Sequence, residues 1–166
     1  MTLTTHAIVG AAAASLFPNQ PLLAFAAGFA SHFAIDALPH WDYRILSKVQ
    51  KEDRLTDEFA TTGPLFLLDL LRIGSDALLG LVLAVWIFSF WLFDLPVWFV
   101  ALGACAGILP DPLQFVYYKF HITLLRPLQR FHIWIQKGRS IYPHMAAGIF
   151  YQLIMVVAIL FVLKLI

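Results

Sequence analysis

The sequence predicts an all-α protein, a polytopic membrane helical bundle that forms one integral membrane domain over residues 1–166. Of its 166 residues, 61% are hydrophobic and only 13% are charged, which is about half the charged fraction of soluble domains. The apolar residues also fall into five segments separated by turns and polar stretches. The net charge of +1 gives no indication of nucleic-acid binding, so we expect membrane lipids as partners.

Five apolar helices are expected, and most end at a proline or a polar residue. They cover residues 6–17, 22–38, 64–93, 97–109 and 145–165. Thr4 or Thr5 is expected to cap the first helix, and small residues in the first two segments predict a tight antiparallel hairpin. About 12 residues span only ~18 Å, so the first segment is either a short crossing or half of a re-entrant hairpin.

Two polar connections join these segments. Residues 40–62 predict a water-facing connection with a short surface helix. Residues 127–137 predict a basic interfacial helix with Arg130 and Lys137 facing head groups, and we place His121 and His132 at the lipid surface beside it. The basic side chains expected to attract anionic lipids are Arg126, Arg130 and Arg139.

Five crossings place both polar connections on the same side of the membrane. Ten of the eleven Lys and Arg residues then lie on that side, and only Lys164 lies on the other. Because cytoplasmic loops carry the excess of basic residues, this side is predicted to be cytoplasmic. The N-terminus is therefore predicted to be cytoplasmic. No Lys or Arg precedes the first apolar run, so we interpret that run as a retained helix and not a signal peptide.

A candidate metal site lies at the predicted cytoplasmic ends of the helices. His32 and Asp36 are one helical turn apart on the same face, and imidazole with carboxylate is a usable ligand pair for a divalent ion. Zinc suits such mixed nitrogen and oxygen ligands best, with manganese and magnesium as alternatives. The candidate metal ligands are His6, His32, Asp36, Asp76 and Asp111. The candidates for an outer shell or a second metal are His40, Asp42, Asp69, Arg72 and His144.

Each of these polar residues also has a simpler interpretation. His32 and Asp36 can satisfy one another as a hydrogen-bonded pair at a helix end. Arg72 is spaced to neutralise either Asp69 or Asp76. Asp111, between two prolines, can act as the N-cap of the next helix.

Four short stretches carry a resemblance to a known family. They are Thr5-His6-Ala-Ile-Val-Gly10, Gly28-Phe-Ala-Ser-His32-Phe-Ala-Ile-Asp36, Arg72-Ile-Gly-Ser-Asp76 and Gly107-Ile-Leu-Pro-Asp111. They resemble the predicted membrane-bound metal-dependent hydrolases, which include inner-membrane hydrolase-like proteins under LexA control. The resemblance implies a helical membrane fold, a bacterial inner-membrane location and hydrolysis assisted by a divalent metal.

The chain departs from that family at two positions. Asp76 stands where the family has a histidine, and Asp111 is followed by Pro112-Leu113 where the family has a further acid and a histidine. A closer resemblance is to small bacterial membrane proteins that share the stretch Ser-His-Phe-x-x-Asp-x-x-Pro-His-Trp-Asp-Tyr, here residues 31–43. That group implies the fold and no particular reaction.

Activation of water by a metal is the catalytic chemistry that these residues can supply. The sequence contains no Gly-x-Ser-x-Gly element and no phosphate-binding glycine loop. We therefore predict a metal-dependent hydrolase that acts on an ester or phosphoester, such as a lipid, at the cytoplasmic face; individual catalytic residues are not assigned. The alternative is a non-enzymatic membrane protein with a structural ion site or a proton or ion relay.

Overall fold

The computed structural model describes residues 1–138 and 144–166. Within these ranges the chain is mostly helical, which confirms the all-α prediction. The helices are α1 Leu3–Ser15, α2 Pro21–Asp36, α3 Pro64–Val85, α4 Val97–Ile108, α5 Pro110–Phe120, α6 Arg126–Gln136 and α7 Met145–Leu165. In the 40–62 connection, β1 Lys48–Val49 pairs antiparallel with β2 Glu58–Phe59. A 3-10 turn over Arg54–Thr56 lies between them.

Local sequence explains where the helices begin. Proline is the first residue of α2, α3 and α5, a position that suits its fixed φ and its missing N–H. Helix α1 begins three residues before the apolar run, and the side chain of Thr2 caps it by accepting the N–H of Thr5. The predicted caps, Thr4 and Thr5, are therefore wrong, because the polar residues that precede the run are already helical.

Among the described residues, two helices are long and apolar enough to cross a membrane. One is the 28-residue unit Pro64–Trp91, which is α3 extended by a π-helical turn, and the other is the 21-residue α7. Helices α4 and α5 qualify only as a pair bent by 47°. At 1.5 Å per residue α1 and α2 extend about 20 and 24 Å, short of the ~30 Å hydrocarbon core. The prediction of five crossings is therefore wrong. The described residues contain two helices that could cross a membrane, or three spans if the bent pair counts as one.

Helices α1, α2 and α4 pack backbone against backbone. A Cβ atom on Gly10 would lie 2.6 Å from the carbonyl oxygen of Gly103, and one on Gly28 would lie 2.8 Å from the same oxygen. Small residues allow this approach, which suits a bundle in lipid. The antiparallel hairpin of α1 and α2 is confirmed, since His6 stacks on His32 at one end. Ala14 and Ala24 share an apolar cluster at the other end.

A buried acid holds the 40–62 connection together, and a tyrosine of α5 joins the connection to the bundle. The side chain of Asp57 is 0% exposed and accepts a hydrogen bond from the Lys51 N–H at 2.8 Å. The ammonium of Lys48 lies 3.0 Å from the same carboxylate, and the Nε of Arg54 lies 3.2 Å from it. The hydroxyl of Tyr118 on α5 donates to the carbonyl of Arg54 at 2.7 Å. The connection is therefore an ordered cap over this end of the helices.

We expect Gly10→Ala to destabilise the bundle by about 1–3 kcal/mol, because the added methyl group forces α1 and α4 apart. The measurement is thermal unfolding of the purified protein in detergent. Gly74→Ala is the matched control, since a Cβ there meets no atom within 4 Å. Equal melting temperatures for the two variants would contradict the close packing.

We expect Asp57→Asn to lower stability near neutral pH by about 1–3 kcal/mol, with Glu52→Gln as a control. Burial raises the pKa of the Asp57 carboxyl, but the Lys51 N–H and the Lys48 ammonium outweigh burial and lower it. A carboxyl whose pKa is lower in the folded than in the unfolded protein stabilises the fold at pH values above the unfolded pKa of about 3.9. This contribution to stability is lost as the pH falls through the folded pKa. The difference between wild type and Asp57→Asn should therefore shrink below about pH 4. A constant difference in melting temperature from pH 7 to pH 3 would contradict it.

Candidate metal centre

A single buried carboxylate, Asp36, lies where several helix ends meet. Its side chain is 0% exposed, and four imidazoles surround it. Nε2 of His6 lies 3.3 Å from Oδ1 of Asp36, and Nε2 of His40 lies 3.7 Å from the same oxygen. Nε2 of His32 lies 3.4 Å from Oδ2, and Nε2 of His132 lies 3.3 Å from it. The same ring nitrogen of each histidine therefore faces this carboxylate.

The helices bring these groups together by simple spacing. His32 and Asp36 are one turn apart at the end of α2, and His6 lies opposite them near the start of antiparallel α1. Asp111 occupies the first turn of α5, immediately after the bend that follows α4. His132 lies in the middle of α6, which packs against the end of α2. Four separate helices therefore contribute to the cluster.

Four of these groups have the separations of a tetrahedral metal site. The atoms are Nε2 of His32, Nε2 of His132, Oδ2 of Asp36 and Oδ1 of Asp111. Five of their six separations lie between 3.2 and 3.6 Å. Ligand atoms placed tetrahedrally at 2.0–2.2 Å from a zinc ion are roughly 3.3–3.6 Å apart. Asp36 and Asp111 do not belong to one group of atoms that all lie within 4.8 Å of one another, so these two carboxylates would have to move closer together to complete a tetrahedral site.

Two of the histidines are already held in the tautomer that a metal requires. Nδ1 of His32 lies 2.9 Å from the carbonyl oxygen of Gly107, and Nδ1 of His40 lies 2.7 Å from that of Leu38. A carbonyl only accepts, so Nδ1 carries a proton in both rings, and Nε2, the nitrogen nearer Asp36, is the one that could bind an ion. Burial also lowers the pKa of His40, which favours its neutral form. These backbone contacts are typical of metal-bound histidines.

His6 is buried in an unusual state. Its side chain is 0% exposed, and although Nε2 lies 3.3 Å from Oδ1 of Asp36, neither ring nitrogen makes a hydrogen bond of good geometry within residues 1–138 and 144–166. Its ring stacks on His32 with centroids 3.8 Å apart and planes inclined by 16°. A buried polar group without a partner costs about 1–3 kcal/mol. An ion bound to one of the two nitrogens would offset part of that cost.

The structure places the predicted ligand Asp76 outside this cluster. Its carboxylate accepts the N–H of Leu3 at 2.6 Å and the hydroxyl of Thr4 at 2.6 Å, so it holds the start of α1. Asp69 accepts the N–H of Ser47 at 2.7 Å, and Nη1 of Arg72 lies 3.9 Å from its Oδ1. These three residues therefore position the helix start and the 40–62 connection beside the cluster.

The remaining predicted residues lie around the cluster or on the surface. Oδ1 of Asp42 accepts the N–H of Tyr43 at 2.8 Å. His144 is exposed and precedes α7. Arg126 and Arg130 are exposed on α6, while Arg139 falls outside the described residues. Contacts between these arginines and lipid stay a prediction.

Sequence reasoning placed His132 at the lipid surface, and that placement is wrong. The residue is 1% exposed and belongs to the tetrahedral set. Gln136, one turn later, donates its amide N–H to Oδ2 of Asp36 at 2.6 Å, and Gln129 on the same face is 2% exposed. The signal was present as polar residues at positions 129, 132 and 136, a helical spacing opposite exposed Trp134.

A large cavity adjoins the cluster on one side. Its volume is about 1580 Å³, and it lies between the 40–62 connection and helices α3, α5 and α6. His40, Asp42 and Asp111 form the part of its wall nearest the cluster. Asp111 is the most accessible of the tetrahedral ligands, with a side chain 31% exposed. A molecule in this cavity would therefore approach the centre past Asp111.

No family model matches the chain, and no curated protein or solved structure matches it either. The resemblance to the membrane-bound hydrolases therefore stays a prediction, and the geometry of the cluster carries the functional argument.

We expect His132→Ala to weaken binding of zinc to the purified protein by more than about 100-fold, because even partners outside the first shell are worth 10–100-fold. The measurement is competition with a chromophoric chelator. His121→Asn is the matched control, because His121 is exposed and has a φ of 50°, which asparagine tolerates. An unchanged zinc affinity in His132→Ala would remove His132 from the centre.

Proposed function

We propose that the chain is a membrane-bound, metal-dependent hydrolase whose centre is formed by His32, Asp36, Asp111 and His132. The observation that carries this proposal is the closeness of the ligand atoms: those of His32, Asp111 and His132 all lie within 4.8 Å of one another, and Oδ2 of Asp36 lies 3.4 Å from His32 and 3.3 Å from His132. Imidazole and carboxylate ligands in this geometry favour zinc over magnesium or calcium, which prefer more oxygen ligands.

Charge balance supports the same assignment. Asp36, Asp111 and ionised Asp42 carry three negative charges. The Met1 ammonium, 3.0 Å from Asp36 and 3.8 Å from Asp42, carries one positive charge, so one divalent ion gives a formally neutral centre. Charged groups removed from water are costly unless they are paired, and Asp36 is 0% exposed. Neutral His32, whose Nδ1 proton is engaged by Gly107, adds a ligand without adding charge. The residues present therefore suit one divalent cation.

A zinc ion at this position would lower the pKa of a bound water molecule and polarise an ester or phosphoester oxygen. The protein supplies the orientation. Gly107 fixes the ring of His32, and the Gln136 amide fixes Asp36. Asp111 makes the longest separations in the set, 3.6 Å to each of its two histidines, and it faces the cavity. Access for water and substrate is therefore on the Asp111 side.

The cavity favours an amphiphilic substrate. Apolar side chains of Phe66, Phe115 and Trp134 form part of its wall, and the basic side chains of Arg130 and Lys137 form another part. The whole lining contains five basic and five acidic side chains, so it suits a molecule with an apolar body and a polar head. We propose an ester or phosphoester of a membrane lipid, presented at the cytoplasmic face of a bacterial inner membrane. The 40–62 connection, which covers this end of the helices, carries Arg44, Lys48, Lys51 and Arg54, and these basic residues support this orientation.

A structural ion site is the second candidate, and one observation favours it. Four protein ligands are the usual complement of a structural zinc site, whereas catalytic sites usually keep one position open. A relay has less support, because the contact of α1, α2 and α4 beyond the cluster is closed by Gly10, Gly28 and Gly103. Because the side chain of Asp111 is 31% exposed, a substitution there can distinguish a catalytic metal site from a structural one.

We expect Asp111→Asn to reduce hydrolysis by about 100-fold or more while the protein stays folded, because this ligand faces the cavity. The measurement is turnover of fluorogenic phosphoester and carboxylic-ester amphiphiles by zinc-loaded protein in lipid nanodiscs, together with the melting temperature. Glu52→Gln, an exposed acid on the same cavity, is the control. Loss of folding together with zinc would favour the structural site. No turnover of either substrate by the zinc-loaded wild type would contradict the proposed hydrolase.

A further inference from the structure

The two oxygens of Asp36 face different groups of nitrogen atoms. Oδ2 belongs to the tetrahedral set, with His32 at 3.4 Å and His132 at 3.3 Å. Oδ1 faces away from that set, with His6 at 3.3 Å and His40 at 3.7 Å. A carboxylate with imidazoles on both oxygens has the arrangement of a bridge between two metal ions.

His6 has no other evident use in the structure. It is buried, and within the described parts of the chain neither of its nitrogens is hydrogen-bonded. The tetrahedral set is complete without it. Its stacking on His32, with centroids 3.8 Å apart, places its nitrogens beside those of a first-ion ligand.

His40 is prepared to bind on the same side. Its Nδ1 proton is engaged by the carbonyl of Leu38 at 2.7 Å, so Nε2, which lies 3.7 Å from Oδ1 of Asp36, is the nitrogen that could bind an ion. The side chain of Asp42 also lies near Oδ1 of Asp36, because the amino group of Met1 contacts both acids. Its nitrogen is 3.0 Å from Oδ1 of Asp36 and 3.8 Å from Oδ2 of Asp42. An ion on this side would replace the contact with Met1.

We propose that Asp36 is a bridging carboxylate and that His6 and His40 hold a second divalent ion beside the first. This inference rests on the proposed function, because it assumes the ion of the tetrahedral set. It gives His6 a role that the first centre leaves unexplained.

The second ion narrows the substrate class. Two divalent ions bring four positive charges, whereas Asp36, Asp111 and nearby Asp42 bring only three negative charges. An anionic substrate balances the remainder, which favours a phosphoester over a neutral carboxylic ester. Paired ions suit in-line displacement at phosphorus, because they stabilise both the attacking and the leaving oxygen. In that hydrolysis the water oxygen bonds to phosphorus, the bond to the leaving oxygen breaks, and a water proton passes to the leaving oxygen.

The test is metal stoichiometry of the full chain in detergent, stripped of metal and titrated with Co²⁺. We expect two ions per chain in wild type and in the His121→Asn control, and one ion in His6→Gln and in His40→Ala. His40 lies beyond the end of α2, so His40→Ala tests the site even where a change at buried His6 prevents folding. Magnetic coupling between the two Co²⁺ ions, visible as a weakened electron paramagnetic resonance signal, should disappear in the same variants.

Inorganic phosphate is the probe for the substrate class. We expect it to bind the two-ion wild type at least about tenfold more tightly than one-ion His40→Ala, because the second ion supplies uncompensated positive charge. One Co²⁺ ion per wild-type chain, or two ions in both histidine variants, would overturn the bridging assignment. Two coupled ions without turnover of any ester would leave the bridge standing and refute the hydrolase, so the two failures are distinguishable.

Discussion

The burial of the Asp36 carboxylate is the constraint on which the rest of the structure depends. A carboxylate removed from water is costly unless charged or hydrogen-bonding groups surround it. Here α1, the end of α2, the residues after Pro39, and α6 all deliver nitrogen atoms to it. Helix α6 shows the effect most clearly. Its amphipathic sequence suits a membrane surface, yet its polar face turns inward to bring His132 and Gln136 to this acid.

Close backbone packing makes that convergence geometrically feasible. Gly107 on α4 connects the packing with the site. A side chain on this residue would collide with the carbonyl of His6, so its absence lets α4 approach α1. The carbonyl of Gly107 then accepts the Nδ1 proton of His32. One residue therefore sets both the distance between two helices and the tautomer of a ligand. The bend that follows α4 brings Asp111 to the same place.

Much of the fold follows from the sequence, because apolar runs and prolines mark helices well. The start of α3 at Pro64 and the bounds of α7 agree with the prediction. The number of crossings differs from the prediction. Hydropathy shows which segments avoid water, but it does not show whether those segments contact lipid or other helices. Helix α1 is short and largely buried by its neighbours. Its apolar character therefore reflects contacts within the protein.

Part of the candidate site also follows from the sequence, because the order of the helices determines which residues lie at the same end of the bundle. His6, His32, Asp36 and Asp111 are placed together by helix order alone, and the structure brings them together. Asp76 was expected among them because it lies at the same depth, but its carboxylate is used by the N–H of Leu3 and the hydroxyl of Thr4. His132 was missed because the return of α6 over the end of α2 is a tertiary feature. Spacing along one helix gives its faces, and tertiary packing decides which face turns inward.

X-ray absorption spectroscopy of the zinc-loaded protein tests whether a metal ion binds beside Asp36. We expect a first shell of nitrogen and oxygen atoms at about 2.0–2.2 Å, with outer-shell scattering from at least two imidazoles. A shell of oxygen atoms alone, or a protein that retains no zinc after removal of excess metal, would contradict a metal centre built around Asp36.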